Sequence, residues 1–74
     1  MSKPTRITNS IRALRFARGE MTQAELAQRI GVTRQTVIAI EQGRYSPSLE
    51  VAFQIARVLR VPLDEVFQYP NGES

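Results

Sequence analysis

Apolar residues recur at helical spacing through the middle of the chain. Between Thr22 and Gly43 they stand three or four positions apart, with an interruption at Gly31. Residues at that spacing share one face of a helix, so the pattern predicts two short helices joined by a tight turn. Thr22 is followed three residues later by Glu25, which predicts a capping box at the start of the first of these helices.

The turn between the two helices has the residues that a close helix crossing needs. Gly31 can adopt a positive φ at little cost and is expected to end the first helix. Thr33 can cap the second helix, and Ala27 leaves room for it to cross nearby. A small apolar wedge should then close between the helices, formed by Leu26, Ile30, Val32, Val37 and Ile40. This packing is typical of a helix-turn-helix, which holds its second helix at a steep angle and exposes it.

The outward face of the second helix begins with Arg34, Gln35 and Thr36, none of which is apolar or acidic. Arginine can make bidentate contacts to guanine and glutamine to adenine. A helix with these side chains at its N-terminus suits the major groove of DNA. Ala39 lies one turn beyond Gln35 and can contact a thymine methyl group. We therefore interpret residues 33–42 as a DNA-reading helix.

Further helices are predicted at about residues 9–18, 48–59 and 63–67, which gives an all-α fold, a compact five-helix bundle with the helix-turn-helix at helices 2 and 3. We expect a flexible arm at 1–8, a DNA-binding domain at 9–69 and a disordered tail at 70–74. The fourth helix should form the floor of the core through Leu49, Ala52, Phe53, Ile55, Ala56 and Leu59. A left-handed Arg60 after it would cost about 1 kcal/mol, so we expect this helix to end differently.

Composition excludes several classes of function. The chain has 74 residues, enough for one small domain, and contains neither cysteine nor histidine. A disulfide and a thiolate metal site are therefore excluded, and the commonest general base is absent. No catalytic constellation is visible, so we expect no enzyme activity, no cofactor and no metal. A core this small leaves no room for a pocket, so we expect no small-molecule ligand. The N-terminus lacks a long apolar run, which argues against a signal peptide or a membrane span.

Charge is distributed unevenly along the chain. Residues 1–47 carry eight Lys or Arg against three Glu, whereas residues 48–74 carry two Arg against four acidic residues. A basic N-terminal part favours a DNA-facing side. A chance asymmetry, which small soluble domains often show, remains the alternative.

These features together resemble the helix-turn-helix family of phage repressor and Cro proteins, the XRE-type regulators, over about residues 11–67. The matching residues are Gln23, Ala24, Glu25, Leu26, Ala27, Gly31, Val32, Thr33, Gln35, Val37, Ile40, Glu41, Gly43 and the runs that begin at Pro47 and Leu63. The resemblance implies a sequence-specific transcriptional regulator that binds a palindromic operator in double-stranded DNA as a homodimer, in a prokaryotic cytoplasm. Two alternatives stay open: an antitoxin or restriction–modification controller with the same DNA binding, and a helix-turn-helix reused for protein–protein interaction.

The resemblance also implies roles for particular residues. The candidate DNA contacts are Gln23, Thr33, Arg34, Gln35, Thr36, Ala39, Arg44 and Tyr45. In the family, the position of Arg15 pairs with the position of Glu41 and braces the reading helix. Surplus apolar residues near the C-terminus imply a dimer interface at Val61, Leu63, Val66, Phe67 and Tyr69. The alternative is that the monomer core consumes all of them.

Overall fold

Five short helices form most of the part of the chain that the structure describes, and a small sheet joins its two ends. The computed structural model describes residues 6–44 and 46–70. Its elements in chain order are β1 (Thr8–Asn9), α1 (Ile11–Ala17), α2 (Gln23–Ile30), α3 (Arg34–Glu41), α4 (Leu49–Leu59), α5 (Leu63–Val66) and β2 (Phe67–Gln68). The predicted helices are confirmed, with boundaries that differ by one or two residues. Within these described ranges, no helix is both long enough and apolar enough to cross a membrane.

The sheet makes the all-α prediction approximate. β1 pairs antiparallel with β2, so that Thr8 lies opposite Gln68 and Asn9 opposite Phe67. Strands of two residues are too short for the alternating pattern from which strands are predicted. Thr8 therefore lies in a strand, although we predicted it as part of an arm, and α1 begins two residues later than expected. The remainder of the predicted arm at 1–5 and of the predicted tail at 71–74 lies outside the described residues.

The ends of α2 follow the predicted local chemistry with one exception. Thr22 Oγ1 accepts a hydrogen bond from the backbone N–H of Glu25 at 3.0 Å. Gly31 ends the helix in the left-handed conformation, with φ of 76°. The Glu25 carboxylate, however, accepts a hydrogen bond from Arg29 at 3.1 Å, one turn along the same helix. Of the two reciprocal hydrogen bonds of the predicted capping box, the structure therefore shows only the one accepted by the threonine hydroxyl.

The core is formed by buried residues from all five helices and from the loop that follows α1. Its buried apolar residues are Ile11, Met21, Leu26, Ala27, Ile30, Val37, Ile40, Ile55, Ala56, Leu59 and Val66. The wedge predicted between α2 and α3 belongs to this cluster, with Val32 packed against it as a partly buried member. Ala27 is buried at the crossing, so the helix-turn-helix has the packing that its sequence predicts.

On α4 the prediction of the core was partly wrong. Leu49 is 68% exposed and Phe53 is 54% exposed, although both were expected in the floor of the core. The buried face of α4 is formed by Ala52, Ile55, Ala56 and Leu59. At 100° per residue, Leu49 and Phe53 lie about 70° and 110° around the helix from the centre of that face. The apolar stripe of α4 is therefore wider than the core can cover.

The end of α4 also differs from the prediction. Arg60 caps it in the left-handed conformation, with φ of 61°, at a cost of about 1 kcal/mol. The backbone N–H of Arg60 donates to Arg57 at 3.2 Å, and that of Val61 donates to Ala56 at 3.1 Å. These bonds satisfy carbonyls at the helix end. The left-handed end therefore forms without glycine.

Candidate nucleic-acid interface

The N-terminal turn of α3 presents polar side chains to solvent. Thr33 Oγ1 accepts a hydrogen bond from the backbone N–H of Thr36 at 3.2 Å and lies 3.0 Å from the Thr36 hydroxyl. Arg34 and Gln35 follow with exposed side chains. Val37 is buried on the opposite face of the helix. The geometry therefore leaves the predicted base-contacting residues of α3 free to meet a groove.

A buried ion pair holds the other end of α3 against α1. The Nε of Arg15 donates to Glu41 Oε2 at 2.7 Å, and its Nη2 donates to Glu41 Oε1 at 3.2 Å. The third donor, Nη1, reaches the carbonyl oxygen of Met21 at 2.7 Å. The predicted pairing of Arg15 with Glu41 is thus confirmed. Because this contact is bidentate, it restrains the orientation of α3 as well as its distance from α1.

Gln23, at the start of α2, joins the same network. Its Nε2 donates to Glu41 Oε1 at 3.1 Å. Gln23 also lines an open groove between α1, α2 and α3, together with Arg12, Phe16 and Arg34. Of the predicted DNA contacts, the structure thus brings Gln23 and Arg34 to one groove. A glutamine amide carries two N–H donors, so the bond to Glu41 leaves donor capacity for a further acceptor.

The remaining candidate DNA contacts follow α3 towards its C-terminus. Thr36 and Ala39 are half-buried, and Arg44 is exposed just past the end of the helix. The backbone N–H of Arg44 donates to the carbonyl of Ala39 at 3.0 Å, which folds the turn back onto α3. Tyr45 lies outside the described residues.

Asn9 is a residue of this region that sequence reasoning missed. Its Nδ2 donates to the carbonyl oxygens of Ile40 and Glu41, at 3.0 and 3.4 Å. Its Oδ1 accepts from the backbone N–H of Ile11 at 3.1 Å. The side chain therefore caps the last turn of α3 and the first turn of α1 at once. An asparagine before a helix suggests only the second role, because the first depends on residues more than thirty positions away.

The predicted dimer residues do not form one exposed surface. Val66 is fully buried in the monomer core, so it has no surface to offer and this part of the prediction is corrected. Val61, Leu63 and Phe67 are partly buried and pack against the core. Tyr69 is 65% exposed, and the Arg6 guanidinium lies 5.8 Å from the centre of its ring.

These features define a helix-turn-helix domain, and comparison with known proteins gives the same class. A family model described as helix-turn-helix matches residues 11–66. An uncharacterized HTH-type transcriptional regulator from Methanocaldococcus jannaschii is 49% identical over 53 residues, which cover 72% of this chain and 80% of that protein. The cryptic phage CTXphi transcriptional repressor RstR of Vibrio cholerae is 39% identical over 59 residues, covering 80% and 52% of the two chains.

A solved structure shows the same likeness. The restriction–modification controller protein C.AhdI from Aeromonas hydrophila superimposes with a TM-score of 0.67 at 33% identity, covering 74% of this chain and 78% of that one. The chain therefore belongs to the helix-turn-helix family of transcriptional regulators, as its resemblance to phage repressors implied. That family is a class of DNA-binding proteins without enzyme activity, in agreement with the expectation that the chain is not an enzyme.

Proposed function

We propose that this chain is a sequence-specific regulator of transcription that inserts α3 into the major groove of double-stranded DNA. The observation that carries the proposal is that α3 has an exposed polar face at its N-terminus and a buried ion pair that holds its C-terminus against α1. The Arg15–Glu41 contact holds the helix, while Arg34 and Gln35 remain exposed. A prearranged helix avoids part of the ordering cost of binding.

Base recognition is assigned to the exposed face of α3. Arg34 and Gln35 make the hydrogen bonds that distinguish base pairs, and Ala39 offers a methyl group for contact with thymine. Thr33 and Thr36 contact bases or phosphates with their hydroxyl groups.

Phosphate contacts flank this face and position it. Gln23 stands at the N-terminus of α2, where the helix dipole and the first backbone N–H groups favour an anion. Arg44 follows α3, and Tyr45 is proposed beside it on the sequence alone. Such contacts contribute affinity without selecting a sequence.

The regulator acts as a homodimer on a palindromic operator in a prokaryotic cytoplasm. Each copy places its α3 in one half-site, with the half-site centres about 10 base pairs apart, one turn of the DNA helix. The solvent-accessible parts of Val61, Leu63, Phe67 and Tyr69 were the expected dimer surface. Val66 is buried and three of these residues pack on the core, so this set leaves little apolar surface for a contact between copies.

Selection from a random pool of DNA duplexes at near-physiological salt tests this function. We expect enrichment of a palindrome with half-sites about 10 base pairs apart. A pool that stays flat would contradict sequence-specific binding.

Replacing Arg34 tests its role as a base contact. Arg34→Ala should weaken binding to the selected site by about 1–3 kcal/mol and relax the preference at one base position. The matched control is Arg18→Ala, because Arg18 is also exposed but does not line the groove. Equal weakening on all sequences would instead make Arg34 a phosphate contact.

A narrower version of the function is favoured by the likeness to the controller protein. The same DNA binding would then control the genes of a restriction–modification system. An antitoxin of a toxin–antitoxin pair is a second narrow role that would use the same DNA binding. The genes adjacent to this one would distinguish these roles, since the DNA-binding residues are common to all of them. A steep fall of duplex binding with salt separates every DNA-binding version from a protein-interaction module.

A further inference from the structure

Two large apolar side chains stand exposed on one face of α4. Leu49 and Phe53 are one helical turn apart, and both have more than half of their surface in solvent. The same face carries exposed Glu50, Arg57 and Arg60. Contiguous apolar groups with a polar rim are typical of a surface that another protein covers.

We infer that this face of α4 is the contact between two copies of the chain, packed antiparallel across a two-fold axis near residues 53 and 54. The inference rests on the proposed homodimer and identifies its surface. A two-fold contact uses the same patch on both copies, so the patch must be complementary to itself. The face of α4 meets that requirement in both its charges and its apolar groups.

Charge complementarity decides the direction of packing. Glu50 and Arg57 stand equally far from the midpoint between residues 53 and 54, about 5 Å along the helix on either side. In an antiparallel pair, Glu50 of each copy reaches the level of Arg57 of the other, which forms two symmetric ion pairs. A parallel pair would place each charge beside its own like charge. Within the described residues, the ion pairs of a single copy are Arg15–Glu41 and Glu25–Arg29, so Glu50 and Arg57 make no such pair there.

Apolar contacts lie between these charges. Phe53 of each copy is within about 1 Å of the axis along the helix, so the two rings meet near the centre of the contact. Leu49 lies one turn away, towards the stem of the other copy's Arg60. Arginine stems cover apolar surface while their charged ends stay in water.

The alternative C-terminal surface is weaker. Val66 is fully buried, and Val61, Leu63 and Phe67 are partly covered by the monomer's own core. Tyr69 is the most exposed of that set. Leu49 and Phe53 therefore offer two adjacent large side chains where the C-terminal set offers one.

Sedimentation equilibrium of the full chain without DNA tests the surface. Phe53→Asp should shift the protein to monomer at concentrations where the wild type is dimeric. The matched control is Tyr69→Asp, which changes an aromatic residue of similar exposure outside α4 and should leave the dimer intact. Both positions are exposed, and an unchanged circular dichroism spectrum would establish that the variants are folded. A dimer that survives Phe53→Asp but not Tyr69→Asp would overturn the proposal in favour of the C-terminal surface.

Charge exchange tests the antiparallel register. Glu50→Arg alone, or Arg57→Glu alone, should raise the dimer dissociation constant about tenfold, since each change replaces two attractive pairs by repulsive ones. The double variant E50R/R57E restores the pairs with reversed signs and should return the constant to within about twofold of wild type. A double variant no better than the worse single variant would overturn the register.

The sedimentation experiment tests the α4 contact and the duplex selection tests sequence-specific DNA binding, so either hypothesis can be contradicted without the other. A wild-type chain that stays monomeric would overturn the α4 contact, yet the selection could still enrich a single half-site. A flat selection with dimers that dissociate in Phe53→Asp would contradict DNA recognition and support the α4 contact.

Discussion

The two ion pairs of the described chain join the same two residue types in opposite surroundings. Arg15 and Glu41 connect α1 to the end of α3, at 2.7 Å, with side chains 8% and 9% exposed. Arg29 and Glu25 lie on successive turns of α2, at 3.1 Å, with side chains 54% and 46% exposed. The buried pair links parts of the chain that are distant in sequence, whereas the exposed pair joins residues that the helix already holds together. Their contributions to stability and to function should differ accordingly.

Hydrogen bonding makes the buried pair tolerable. Arg15 donates to both oxygens of Glu41 and to a backbone carbonyl, and Glu41 also accepts from Gln23. Among the described residues, no buried polar side-chain atom lacks a partner. Burial of two charges is costly even when they are paired. The pair is therefore better understood as fixing where α3 lies than as adding net stability.

Removal of one partner from the buried pair should have the largest effect on stability. Arg15→Ala leaves Glu41 charged and buried, so we expect a loss of about 3–5 kcal/mol in the free energy of unfolding. Arg12→Ala, on the exposed side of the same helix, should change it by less than about 0.5 kcal/mol. Urea denaturation measures both variants. Similar losses in the two would contradict the distinction between buried and exposed arginine.

The double variant Arg15→Met with Glu41→Leu sharpens that result. It leaves neither charge uncompensated, so it should recover most of the stability lost in Arg15→Ala. Its specific DNA binding should be weaker than that of the wild type, because the hydrogen bonds that orient α3 and Gln23 are lost. Stability and specificity that recover together would show that the pair is not needed to position the helix.

Asn9 should show a smaller effect in the same region. Asn9→Ala removes the bonds to the last carbonyls of α3 and should cost about 1–2 kcal/mol. Asn9→Asp keeps the acceptor for Ile11 but places a negative charge against those carbonyls. It should therefore be the less stable of the two variants in thermal unfolding. An Asp variant as stable as wild type would mean that the contact with α3 contributes nothing.

The exposed pair should give the smallest effect. Arg29→Ala should cost less than about 0.5 kcal/mol. The loss should shrink further in 1 M salt, where charges more than about 3 Å apart in solvent are screened. A double-mutant cycle between Arg29 and Glu25, repeated at both salt concentrations, gives the coupling directly. A coupling as large and as salt-resistant as that of Arg15 with Glu41 would mean that burial does not distinguish the two ion pairs.

Features set by neighbours in sequence were predictable. Helix spacing, the caps at Thr22 and Thr33 and the left-handed Gly31 each depend on residues within a few positions. Arg60 adopts a left-handed conformation that its own preference opposes by about 1 kcal/mol, and the backbone bonds at the end of α4 accompany it. The pairing of Arg15 with Glu41 was predicted through family resemblance, not through spacing.

Features set by distant contacts were not predictable. The second role of Asn9 and the pairing of β1 with β2 depend on residues brought together by the completed fold. The sequence of α4 shows which residues are apolar but does not show how many of them the core can cover. Leu49 and Phe53 were therefore assigned to the interior, although they lie at the surface.

The small sheet has a consequence for the order of folding. Thr8 donates its hydroxyl to the Gln68 carbonyl across a separation of 60 residues, whereas the helices need only contacts within one turn. Closing so long a loop costs more chain entropy than closing a helical turn, and two-residue strands return little for it. We expect the sheet to form last during folding and to open first in the native state. The Ser10 amide, bonded to the Val66 carbonyl, should accordingly exchange its hydrogen well before the amides at the centre of α4.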